Sequence, residues 1–158
     1  MNEPYIFGNP NDKLPRWFVN QRWKILIEFS QTKLFDYSKS EFYTIVEIDG
    51  LSLKVSTVEM AGMEMLFQIP DTHTFEEAYL IMESLTTLRP KLLQQLLEEC
   101  NSVKVKRLFM WMADNQKHQW VDGLDLSKID FGKGKRLVVR GGKLNRKYNI
   151  TVPRQYEE

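Results

Sequence analysis

The chain has 158 residues, of which 42% are hydrophobic and 27% charged, and its net charge at pH 7 is +1. This composition is typical of one globular domain that buries enough apolar surface to fold without disulfides. A single cysteine, a polar start at residues 1–4 and no apolar run near 18 residues argue against a secreted or membrane protein and indicate the cytoplasm.

The charge is distributed unevenly along the chain. Residues 1–101 contain 9 Lys/Arg and 15 Asp/Glu, whereas residues 102–154 contain 13 Lys/Arg and 4 Asp/Glu. Such a split favours an anionic partner for the basic part, or packing of that part on the acidic part of the same chain. A solvated basic face without a partner is the third interpretation.

The first part of the chain is predicted to be rich in strands. Residues 5–7 and 24–29 have the apolar character of short strands, and Pro15 between them suits the first turn of a short helix.

A β-hairpin is predicted next. Residues 42–48 and 51–55 are two β-rich runs separated by Asp49 and Gly50. This dipeptide fits the positive φ values of a type I′ turn, which makes it the strongest hairpin signal in the chain.

The middle of the chain predicts four helices, because apolar residues recur at helical spacing. Each helix has its own start signal: Ser56 with Glu59, Thr74 with Glu77, Pro90, and Ser102. In the first helix the predicted core stripe is Val58, Ala61, Met65 and Leu66, and in the last it is Val105, Leu108, Phe109 and Met112.

The end of the chain predicts a second hairpin, with strands at 135–140 and 148–152 joined by residues 141–145. Strand periodicity places Leu137 and Val139 on one side of the first strand and leaves Arg136, Val138 and Arg140 on the other. The fold class is therefore α+β, a single domain over residues 1–158 with an N-terminal β-rich part, a helical middle and a C-terminal β-hairpin.

No catalytic or metal-binding set is evident. His73 and His118 lack ligand-type neighbours at motif spacing, so structural or exposed histidines are favoured over zinc ligands. Cys100 is expected to be a small buried apolar residue rather than a nucleophile. The glycine–lysine clusters at 132–135 and 141–143 lack phosphate-loop spacing. We expect no enzymatic activity, no cofactor and no metal.

The candidate binding site is a set of basic side chains near the C-terminal end. If they share one face of the predicted hairpin, their guanidinium and ammonium groups suit phosphate contacts in DNA or RNA, with salt-dependent affinity and little base readout. The set comprises Lys133, Lys135, Arg136, Arg140, Lys143, Arg146 and Lys147, with Lys104, Lys106 and Arg107 on the last helix as secondary candidates.

Several ordered motifs along the chain closely resemble the C-terminal antitoxin domain of the AbiEi family of bacterial abortive-infection regulators. The opening shares Phe7-Gly8, Lys13-Leu14-Pro15 and Trp17-Phe18 with this family. The other motifs are FEEA at 75–78, MESLTTLRP at 82–90, SVKVKRLF at 102–109, LDLSKID at 124–130, GKGKR at 132–136, GGKL at 141–144 and KYNITVP at 147–153.

The resemblance implies an antitoxin of a type IV toxin–antitoxin system that acts in phage defence. Such antitoxins oppose a nucleotidyltransferase-like toxin without a stable complex, and they repress their own operon. The family carries an N-terminal winged helix-turn-helix domain, and this sequence begins at the equivalent of the second domain, with no helix-turn-helix before Tyr5. Operator reading by this chain alone is therefore not expected, whereas the antitoxin role and an accessory grip on DNA stay open. Because the sequence has no apolar run near 18 residues, no membrane partner is expected.

Two other functions remain open at this point. The chain could be a stand-alone basic nucleic-acid-binding module, since one basic face could serve either role. An enzyme that modifies the toxin or its target is the weaker alternative, because no catalytic set is present.

Overall fold

A computed structural model, which describes residues 3–157, shows a mixed α+β protein with strands at both ends and helices between them. The predicted fold class is therefore confirmed. The chain forms two compact units, one ending at Glu41 and the other beginning at Phe42. A single domain over residues 1–158 stays a prediction.

The first unit contains two short strands and one short helix. Strand β1 (Tyr5–Gly8) pairs in parallel with β2 (Glu28–Gln31), and helix α1 (Arg16–Asn20) lies between them in sequence. Pro15 occupies the N-cap position of α1, as its fixed φ favours. The second strand begins four residues later than predicted.

The second unit begins with the predicted hairpin. Strands β3 (Tyr43–Ile48) and β4 (Leu51–Ser56) pair antiparallel around Asp49 and Gly50, whose φ angles are +50° and +77°. Both central residues have the positive φ that a type I′ turn requires, so this prediction is confirmed.

Four helices follow, and three of the four predicted start signals are found. Helices α3 (Phe75–Ser84) and α5 (Val103–Asn115) begin after Thr74 and Ser102, whose hydroxyl oxygens accept backbone N–H bonds of 3.1 and 3.2 Å. Helix α4 (Pro90–Glu99) starts at its proline. The prediction for α2 (Val58–Phe67) is wrong by one residue, because Thr57 caps it rather than Ser56.

The core of the second unit surrounds α5, which contacts α2, α3 and the C-terminal sheet. The predicted stripe of α5 is buried, but burial continues all round the helix from Val105 to Ala113. For α2 the predicted core stripe is confirmed only at Leu66, since Val58 is 57% exposed and Ala61 is exposed, while Met60 and Met63 are fully buried. The buried side of α2 also contains two glutamates, a pattern that hydrophobic periodicity does not recognise.

The C-terminal strands form a three-stranded sheet in the order β5, β7, β6, with β5 at Arg136–Leu137, β6 at Lys143–Asn145 and β7 at Ile150–Val152. A C-terminal hairpin is present, but its first strand is β6, a segment predicted as the connecting loop. Strand β5 pairs with β7 in parallel. The expected antiparallel pairing of 135–140 with 148–152 is wrong.

Candidate nucleic-acid interface

A buried arginine of α5 holds the loops that carry the basic residues. The Arg107 side chain is only 4% exposed, and its Nε donates to the Phe131 carbonyl oxygen at 2.8 Å. Its Nη1 donates to the carbonyl oxygens of Gly134 and Asn149. Burial, and secondarily the nearby Arg136 guanidinium, lowers the pKa of Arg107. One side chain therefore fixes both the segment before β5 and the turn before β7.

The turn between β6 and β7 is shaped by two asparagines. The Asn145 Oδ1 accepts the Tyr148 backbone N–H at 2.9 Å, and Asn149 has a φ of +54°, a left-handed conformation that asparagine tolerates. This turn places Arg146 and Lys147 at the exposed end of the sheet.

Among the seven primary basic candidates near the C-terminal end, four have side chains that are exposed and unpaired. These side chains make no hydrogen bond or ion pair within the second unit, residues 42–157, and they are Lys133, Lys135, Arg140 and Arg146. Unpaired cations at the surface keep their full capacity to contact phosphate groups.

Three further basic side chains have partners within the chain. Arg136 donates from Nη1 to the carbonyl oxygens of Lys133 and Lys135, at 3.0 and 3.2 Å. Lys143 donates to the Glu157 carbonyl oxygen at 3.0 Å. Lys147 pairs with the Asp114 carboxylate, and its Nζ lies 5.1 Å from the centre of the Tyr148 ring. We call these three residues and the four unpaired ones the C-terminal basic surface.

The C-terminal basic surface is not the single hairpin face that strand periodicity suggested. Strand β7 lies between the strands of Arg136 and Lys143, so two strand spacings, about 9–10 Å, separate them. Val138, expected on the basic side, is 5% exposed, whereas Leu137 is 57% exposed. The cations are therefore spread over both edges of the sheet and the loops around it.

The secondary candidates on α5 lie away from the exposed surface. Lys106 and Arg107 are buried, and the half-buried Lys104 donates from Nζ to the Ile69 carbonyl oxygen at 2.7 Å. Burial lowers the pKa of Lys104, with the Asp71 carboxylate opposing that effect. Because these cations are enclosed by the helical core, we leave them out of the proposed binding surface.

The residues weighed for catalysis or metal binding lie in structural settings. Cys100 is 2% exposed, and burial raises the pKa of its thiol to about 11. The Nε2 of the buried His118 lies 2.9 Å from the Met82 carbonyl oxygen, and its ring stacks on Trp120. His73 lies 3.5 Å from the Glu77 carboxylate.

Residues 3–157 also give two findings on metal binding and membrane insertion. No cluster of three or more His, Cys, Asp or Glu in this part of the chain is arranged to hold a metal ion. None of its helices has the length and apolarity needed to cross a membrane.

One cation of this region was missed by sequence reasoning. Arg154 is exposed in a short 3₁₀ turn after β7, and its Nε donates to the Gly141 carbonyl oxygen at 3.1 Å. Arg154 follows the predicted hairpin, so strand periodicity did not assign it to either side of the sheet. Its sequence signal is its position directly after Pro153, which ends the last strand.

The structure is that of a small α+β protein with exposed cations on and around its C-terminal sheet. Residues 2–153 match a family model described as "Transcriptional regulator, AbiEi antitoxin, Type IV TA system". The match covers nearly the whole sequence, so the chain belongs to this family of antitoxins and transcriptional regulators. The resemblance seen in the sequence is confirmed. Comparisons with curated proteins and with solved structures found no significant match.

Proposed function

We propose that this chain opposes a nucleotidyltransferase-like toxin without forming a stable complex with it, and that the C-terminal basic surface is its working surface. The match to the AbiEi antitoxin family over residues 2–153 carries the antitoxin role. The four unpaired cations support the choice of surface, because none of them forms an ion pair with a carboxylate of the second unit, residues 42–157.

The same surface binds phosphate groups of DNA or RNA in this proposal. Lysine and arginine side chains that contact phosphates release counterions, so affinity falls steeply as salt rises. Few aromatic or amide side chains are interleaved with the exposed cations, which favours backbone contact over reading of bases. The chain thus contributes an accessory grip on operator DNA rather than its sequence specificity. Neither role requires a catalytic step by this chain.

Co-expression with a nucleotidyltransferase-like toxin tests the antitoxin role. We expect this chain to restore growth of cells that express the toxin. Replacing Lys135, Arg140 and Arg146 with Ser should abolish the rescue, because these side chains are exposed and unpaired. Full rescue by this variant at equal protein levels would show that another surface acts on the toxin.

A matched control removes three exposed cations from the first unit. The control variant changes Arg16, Arg22 and Lys24 to Ser and lowers the net charge by the same amount. We expect it to rescue growth fully. Equal loss of rescue in both variants would mean that total charge, and not the C-terminal basic surface, governs the effect.

Gel filtration of the two purified proteins at moderate salt tests the mode of action. The chain and the toxin should elute separately, in keeping with antitoxicity without a lasting complex. A stoichiometric complex would contradict this part of the proposal. If the chain binds DNA or RNA but does not rescue growth, the result would favour the stand-alone nucleic-acid-binding module instead.

A further inference from the structure

A cleft of about 510 Å³ lies beside the C-terminal sheet, within the second unit. One wall is the turn after β5, from Val139 to Gly142, and another is the 3₁₀ turn that contains Arg154. The start of α3 and the Ile69–Pro70 segment close the remaining sides. Ligand pockets typically have volumes of about 300–1,000 Å³, so the cleft has room for a nucleotide-sized molecule.

Two arginines give the lining of the cleft a net positive charge. Arg140 and Arg154 both line it, and neither forms an ion pair within the second unit, residues 42–157. The Nε of Arg154 is engaged by the Gly141 carbonyl oxygen at 3.1 Å, which leaves its two terminal nitrogens to donate to a ligand. Two planar guanidinium groups at one cleft suit the oxygens of a phosphate group.

The start of α3, which forms another wall of the cleft, also favours an anionic ligand. Backbone N–H groups in the first turn of a helix have no acceptor within the helix, and the helix dipole favours negative charge there. Thr74 and Phe75, at the start of α3, line the cleft, and the Thr74 hydroxyl oxygen is occupied by the Glu77 N–H. The single carboxylate in the lining is Glu76, which is exposed and opposes an anion.

We propose that this cleft binds a phosphate group, supplied either by a free nucleotide or by a nucleic-acid strand, with Arg140 and Arg154 as its ligands. The proposal goes beyond the toxin-opposing function, because binding of a free nucleotide needs neither the toxin nor the rest of the C-terminal basic surface. Arg154 lies outside that surface, so its replacement tests the cleft by itself.

Isothermal titration with ATP, adenosine and a 5′-phosphorylated hexanucleotide tests the cleft and identifies the source of the phosphate. We expect ATP to bind and adenosine to give no heat. Arg154→Gln should weaken ATP binding about tenfold, as the loss of one charge-assisted hydrogen bond predicts. Glu76→Gln should strengthen it, since the opposing carboxylate is removed.

Arg22→Gln is the matched control, because it removes an exposed arginine that lies outside both the cleft and the C-terminal basic surface. It should leave ATP affinity unchanged, and the melting temperatures of all variants should agree. Arg154→Lys keeps the charge and should retain part of the affinity. Binding of the hexanucleotide but not ATP, with the same response to Arg154→Gln, would support the cleft and assign the phosphate to a strand.

Two results would overturn the proposal: no binding of either phosphorylated probe, or equal affinity in the wild-type chain and the Arg154→Gln and Glu76→Gln variants. Failure of the cleft is distinguishable from failure of the antitoxin role. Arg140 belongs to both sites, so the growth rescue is tested with the Lys135, Arg140 and Arg146 variant, whereas the titration is tested with replacements of Arg154 and Glu76 alone.

Discussion

At the scale of single residues, burial gives Arg107 a structural role and leaves Arg146 exposed to bind a partner. Arg107 is 4% exposed and binds three carbonyl oxygens, whereas Arg146 is exposed without a partner among residues 3–157. An enclosed guanidinium stabilises the loops it binds, and an exposed one contributes little to stability and is free to meet a partner. The sequence pattern alone did not separate them, because both lie in Lys/Arg-rich segments.

Replacement of Arg107 should destabilise the protein strongly. Arg107→Leu removes the donors of three carbonyl oxygens around a buried site, and we expect a loss of about 3 kcal/mol in the free energy of unfolding. Urea denaturation, monitored by circular dichroism, measures this loss of free energy. Arg146→Ser is the control and should change the free energy of unfolding by less than about 0.5 kcal/mol. Similar values for both variants would refute the structural role of Arg107.

At the scale of elements, local signals predicted where helices and turns begin, because these depend on contacts between residues a few positions apart. The Asp49–Gly50 turn and the caps at Thr74 and Ser102 are of this kind. The buried face of α2 depends instead on Glu59, whose partner Arg89 lies 30 residues away. Periodicity counts a glutamate as polar, so it placed Leu66 correctly in the core but missed the buried side that Glu59 shares with Met60 and Met63.

The arrangement of the C-terminal strands was also out of reach of sequence patterns. Strand β5 has two residues, too few for alternation to define a face, and it pairs with a strand that follows two turns later. The sequence did predict that basic residues would collect near this sheet. It could not predict that Lys147 and Lys143 would be engaged by Asp114 and Glu157.

The link between Glu59 of α2 and Arg89 before α4 should make stability depend on pH. The Glu59 side chain is 3% exposed, and Arg89 donates to its carboxylate from the backbone N at 2.8 Å and from Nε at 3.0 Å. Burial raises the pKa of Glu59, but the bonds from Arg89 outweigh burial and hold it below the ordinary value of 4.5. A carboxyl group with a lowered pKa stabilises the fold above its unfolded pKa.

That stabilisation should be lost as the pH falls below 4.5 and through the folded pKa of Glu59. Glu59→Gln should therefore lower the free energy of unfolding at pH 7 by about 1.5–3 kcal/mol, the range for hydrogen bonds to charged groups. The gap between the variant and the wild-type chain should narrow towards pH 3. Thermal melts from pH 7 to pH 3 measure both effects. A constant gap over this range would assign the loss to packing rather than to the charge.

At the scale of the whole molecule, the basic residues 102–154 are neutralised either by acidic residues of the same chain or by an anionic partner. Neutralisation by the acidic residues 42–101 of the second unit requires ion pairs, yet Lys133, Lys135, Arg140 and Arg146 form none with them. Lys147 has a carboxylate partner, but Asp114 lies in the basic part itself. The unpaired cations therefore favour an outside anion over internal neutralisation.

Replacing Arg136, Arg140 and Arg146 together with Ser tests this conclusion. The melting temperature should change little, because exposed charges contribute only about 0–1 kcal/mol each and the two Arg136 bonds go to carbonyls of its own loop. Affinity for duplex DNA, measured by fluorescence anisotropy at several salt concentrations, should fall. The slope of log affinity against log salt should decrease by roughly 0.9 for each lost phosphate contact. An earlier melt with unchanged affinity would instead show that these arginines stabilise the fold, because cations that contact an outside anion affect binding and leave unfolding almost unchanged.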